Sequence, residues 1–84
     1  MKYVFHPEAL IEYAEAVQYY ASQRAELAQV FINSVEDAVY QIRESPERYA
    51  AIDEDVRRCM TPKFPYGVLY TVEQDHILIL AVMH

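Results

Sequence analysis

The stretch Tyr66 to Glu73 (YGVLYTVE) alternates large apolar residues with smaller or polar ones, and no other feature restricts this chain as much. A period of two is the mark of a strand that buries one face and wets the other. Gln74-Asp75 supplies a tight turn, and His76 to Met83 (HILILAVM) returns as an apolar strand too dense for one wet face, which places it centrally in a sheet. Before the alternation, Asp55 to Met60 reads as a strand and Thr61 to Pro65 (TPKFP) as a turn held by two prolines. The last third is therefore an antiparallel meander.

The first half carries the helical period instead. Met1 to Phe5 reads as a short strand, and Pro7 suits the first position of a helix, where its missing N–H is not needed. Leu10, Tyr13, Ala14, Val17, Tyr20 and Ala21 make one stripe, and Leu27, Phe31, Val35, Ala38 and Ile42 a second that stops at Ser45-Pro46. A polar run at Ser22 to Arg24 separates them into a helical hairpin. Glu47 to Glu54 reads as a loop plugged by Tyr49 and Ile52.

The order is β-α-α-β-β-β, an α+β fold of two layers in one domain over residues 1–84: a helical hairpin packed on a mainly antiparallel four-stranded sheet. The core should include Leu10, Val17, Phe31, Val35, Ile42, Val68, Tyr70, Ile77 and Ile79. One sheet face has no helix to cover it, and that face or an exposed helix stripe is expected to be an apolar partner surface. A domain of 84 residues buries only about 60% of its unfolded surface, which makes such a partner useful to stability as well.

Charge narrows the function. Thirteen acidic residues against seven basic ones give −6, which argues against unspecific adhesion to nucleic acid. Arg57, Arg58 and Lys63 form the one compact basic group. No apolar run approaches the roughly 18 residues that span a bilayer, so no membrane role is expected and the chain is read as cytoplasmic. Cys59 is alone and reads as a small core residue. No metal spacing and no glycine-rich phosphate loop occurs, and no cofactor is expected.

Three strings, FHPEALIEYAEAVQYY, LAQVFINSVEDAVYQI and RRCMTPKFPYGVLYTVEQDHILILAVMH, together resemble the RelE/ParE family of toxin–antitoxin toxins across nearly the whole chain. The most specific part runs from the paired arginines through FPY to AVMH. The resemblance implies a toxin of a type II pair, linked to plasmid stabilisation and growth inhibition and neutralised by a cognate antitoxin. Its target is either DNA gyrase, poisoned by contact, or the ribosome, on which messenger RNA is cleaved. The family's last strand usually runs on past a histidine into a basic, aromatic tail, whereas this sequence ends at His84, and its acidic balance is a second departure.

If the chain cleaves RNA, it needs a proton acceptor, a proton donor and a cation at the phosphate. The catalytic candidates are Arg57, Arg58, Lys63, Tyr70 and His84, with Tyr66 beside them. Neighbours on a strand face opposite ways, so only one of Arg57 and Arg58 can serve a given site. Each has a plain alternative: solvated arginines pairing with Asp53, Glu54 or Asp55, tyrosines packing the sheet, an exposed terminal histidine. Three functions follow: a toxin acting by protein contact, which the acidic charge favours, a ribosome-dependent endoribonuclease, and a non-toxic relative that binds or forms a homodimer.

Overall fold

The computed structural model describes residues 1–84. In chain order the elements are β1 (Lys2–Phe5), α1 (Pro7–Gln23), α2 (Ala25–Glu44), β2 (Ala51–Asp53), β3 (Val56–Met60), β4 (Gly67–Val72) and β5 (His76–Met83). The strands form one sheet in the order β1-β5-β4-β3-β2. All neighbours are antiparallel except β1, which lies parallel to β5. The α+β two-layer reading holds, with one correction: the sheet has five strands, not four. Ala51–Asp53, expected in a loop, pairs with β3 through a hairpin whose turn residue Glu54 sits at φ 47°, a left-handed conformation that side chains other than glycine rarely take.

Local chemistry sets the helix ends. His6 caps α1, its Nδ1 accepting from the Glu8 N–H at 3.1 Å, and Pro7 occupies the first turn. The hairpin hinges on Arg24 alone, extended at φ −162° and ψ 141°, which closes α1 and opens α2. The second helix stops at Ser45, as the following Pro46 requires.

The core lies between the helices and one sheet face. From α2 it takes Phe31, Val35, Ala38, Val39 and Ile42, and from the sheet Cys59, Val68, Tyr70, Ile77, Ile79 and Val82. The second stripe is thus in the expected phase, but the first is not. Helix α1 buries Ala9 and Ala16, with Tyr13, Val17 and Tyr20 packed at the margin, while Leu10 is 51% exposed. The small alanines let the helix backbone approach the sheet, and the tyrosines fill the flanks. Phe31 sits amid the aromatic group this creates, with ring centroids 5.0 Å from Tyr20, 5.1 Å from Phe64 and Tyr66, and 6.2 Å from Tyr13.

Strand β5 contains a bulge. Leu69 pairs with Ala81 but Tyr70 with Ile79, so Leu80 has no partner, and Ile79 and Val82 both turn to the helices. The opposite sheet face carries no helix. Val4, Ile52, Met60 and Met83 are each about half exposed there, Ile52 among them rather than plugging the core.

Candidate functional site

The compact basic group of the sequence comes apart in three dimensions. Arg57 lies on the helix-covered side of β3, where its Nη1 donates to the carbonyls of Glu47 and Tyr49 at 3.2 and 2.6 Å. It ties the loop after α2 to the sheet. Beside it Glu47, Glu54, Asp55 and Val72 complete a small acidic hollow of about 210 Å³. No acid pairs with it directly.

Lys63 stands in the turn before β4 at φ 70°, and lines a different hollow with Val30, Asn33, Ser34, Asp37 and Pro62. The turn is pinned there because the Ser34 hydroxyl donates to the Pro62 carbonyl. Tyr70 is fully buried, and its hydroxyl donates to the Pro46 carbonyl at 2.5 Å. Burial pushes that phenol up to about 12, against a smaller lowering by Arg57. Its surroundings suit a structural strut between the β4 strand and the end of α2.

Arg58 alone faces the open side of the sheet. There it shares a shallow hollow of about 280 Å³ with Ile52, Met60, Gly67, Leu69, Met83 and His84. Strand register explains the meeting. Gly67 pairs with Met60 on one side and Met83 on the other, so the end of β3 and the end of β5 flank it. A Cβ at Gly67 would stand 3.0 Å from the Arg58 Cδ and 3.3 Å from the Met60 sulfur. The missing side chain is what lets the arginine stem cross β4. His84 stacks edge-on against Tyr66, centroids 5.4 Å apart, and Tyr66 in turn leans on Phe31. Of the five candidates, then, Arg58 and His84 are brought together, and Arg57, Lys63 and Tyr70 lie elsewhere.

Two further features lie on α1, the first along the apolar stripe read from the sequence and the second without a sequence signal. Leu10, Tyr13, Ala14, Val17, Gln18 and Ile32 line an apolar groove of about 310 Å³ on the outer side of the helical hairpin. Glu12, in the same helix, reaches the other way and accepts from the Val82 backbone N–H at 2.9 Å. Three or more metal-ligating side chains do not cluster anywhere, and no helix is long and apolar enough to cross a membrane.

A helical hairpin laid on one face of a small mixed sheet, with the other face bare and rimmed by an arginine and a histidine, defines a compact class of α+β domains. The sequence matches the family model described as ParE toxin of type II toxin-antitoxin system, parDE, over residues 3–84. The chain belongs to that family, whose members pair with a cognate antitoxin. The fold is similar to a solved chain described as "Chromosomal ParDE TA system from P. aeruginosa", with a TM-score of 0.85 and 16% sequence identity, covering 100% of this chain and 95% of that one. At that identity the likeness establishes the fold. Among curated proteins none matches the sequence.

Proposed function

We propose that this toxin acts by protein contact on a gyrase-type target in the cytoplasm, using the open sheet face around Arg58 and His84, and that its antitoxin neutralises it by covering apolar surface. The observation that carries this reading is the separation of the cations. A phosphoryl-transfer site needs several charged and proton-transferring groups converging on one atom. Here Arg57 is spent on two loop carbonyls, Tyr70 is sealed in the core, and Lys63 belongs to another hollow.

What remains on the open face is an unpaired arginine and a histidine among Ile52, Met60, Leu69 and Met83. That is the composition of a contact surface, in which an arginine ringed by apolar side chains is a common anchor. A second reading, ribosome-dependent cleavage of messenger RNA, is favoured by one observation: Arg58 and His84 both line that hollow.

Two assays on the purified toxin separate them, gyrase supercoiling and messenger RNA cleavage in a ribosome-containing translation extract. Contact inhibition expects loss of supercoiling without RNA cleavage, weakened roughly 30-fold by Arg58→Ala, as for an anchor worth about 2 kcal/mol. Clean cleavage within the ribosomal A-site codon, abolished by Arg58→Ala or His84→Ala, would replace it with the nuclease reading. Inactivity in both assays would favour a non-toxic relative. Size-exclusion chromatography with the product of the neighbouring small gene tests the antitoxin, whose separate elution would count against the pair.

A further inference from the structure

Strand β5 outruns the strand beside it. β1 ends at Phe5, opposite Ile79, and the chain turns into α1 as the His6 N–H donates to the Ile79 carbonyl at 2.8 Å. From there to Met83, β5 keeps β4 on one side and has no strand on the other. The Leu80 bulge falls in the same stretch and interrupts the ladder to β4 as well. Backbone groups so placed must find other partners or lose free energy.

Glu12 meets that need. It lies on the sheet-facing side of α1, between buried Ala9 and Ala16, where a carboxylate contributes nothing to apolar packing. Its Oε1 takes the Val82 N–H at 2.9 Å, joining segments 70 residues apart. A hydrogen bond to a charged acceptor is among the stronger kinds. Val82 is buried, and the two residues after it, Met83 and His84, line the hollow with Arg58.

We infer that Glu12 is a positioning residue of the toxin: it stands in for the missing neighbour strand, holds Val82 to His84 in register, and so presents Met83 and His84 beside Arg58. The functional half of this inference rests on the open sheet face being the working surface.

The test compares Glu12→Met, which keeps the length and packing of the side chain without its acceptor, with Glu12→Gln, which keeps a carbonyl oxygen. Amide hydrogen exchange is followed by NMR at Val82, with Phe31 and Val68 as reporters of global opening. In Glu12→Met, exchange at Val82 should quicken about tenfold or more while Phe31 and Val68 stay unchanged, and in Glu12→Gln it should remain within about threefold of the parent. Growth inhibition by the unneutralised toxin should fall in Glu12→Met and return in Glu12→Gln. Unchanged protection at Val82 in Glu12→Met would overturn the anchoring, and a parallel rise at all three amides would reduce Glu12 to general support of the fold. A loosened Val82 with full toxicity would overturn the positioning role. Full toxicity of both Arg58→Ala and His84→Ala is a separate result: it sinks the open-face reading while the exchange data still decide the anchoring.

Discussion

Replacing Phe31 with alanine tests the packing account where it is most exposed to error. The side chain is fully buried, and the rings it meets come from different parts of the chain: Tyr13 and Tyr20 from α1, Phe64 from the turn after β3, and Tyr66 from the approach to β4. Loss of a buried phenylalanine costs about 3–5 kcal/mol, less where neighbours can collapse into the space. Here each neighbour is held by its own element, and aromatic pairs add roughly 0.5–1.5 kcal/mol beyond buried area. The cost should therefore be about 4 kcal/mol, against a total of about 4–12 kcal/mol for a domain of this size.

Urea titration at low temperature reads this as a midpoint shift of about 3 M, for a slope of about 1.2 kcal/mol/M. Leu10→Ala is the control. At 51% exposure it should cost less than about 1 kcal/mol, although periodicity alone had ranked Leu10 with Phe31. A loss below about 1.5 kcal/mol for Phe31→Ala, or equal losses for the two variants, would refute the reasoning about which face of α1 is inside.

Three other outcomes are expected. Tyr70→Phe removes the donor to the Pro46 carbonyl and should cost about 1–2 kcal/mol in the same titration, without altering toxicity beyond that loss. Tyr13 and Tyr70 are both raised to about 12, Tyr13 by burial and then by Glu36, so the folded chain keeps protons that the unfolded chain releases above about pH 10; stability should fall as pH rises from about 10 to 12, and absorbance titration should find two of the eight tyrosines ionising last. Gly67→Ala meets only the flexible stems of Arg58 and Met60, so it should fold with a change of about 1 kcal/mol or less yet displace Arg58 and weaken target inhibition; a crystal structure of the variant with Arg58 unmoved would count against that account.

The strands were legible from sequence where alternation was long. Tyr66 to Val72 and the opposition of Arg57 and Arg58 across the sheet follow from side-chain period, and the central placement of β5 from its apolar density. Strand β2 was not legible, because Ala51–Asp53 is three exposed residues whose pairing depends on a left-handed Glu54, a conformation glutamate does not advertise. The phase of α1 failed for a different reason. Alanines and tyrosines occupy most of its circumference, so two faces fit the helical spacing, and close approach to the sheet selected the one with small Ala9 and Ala16 over the one with the more hydrophobic Leu10.

The site shows why a cluster in sequence need not be a cluster in space. Arg57, Arg58 and Lys63 lie within seven positions of one another, yet strand alternation sends two of them to opposite faces and a proline-held turn carries the third toward α2. His84, 26 positions after Arg58, lines the same hollow because Met60, two residues after Arg58, and Met83, just before His84, flank Gly67 in the register of three strands. That register depends in turn on the bulge at Leu80, which advances β5 by one residue so that Met83, and not Val82, pairs with Gly67. With Leu80 paired to Leu69 rather than bulged, Ala81 would turn to the helices and the buried Val82 to the open face. The bulge is thus the point at which core packing and the presentation of His84 are decided together, and Glu12 meets the strand two residues beyond it.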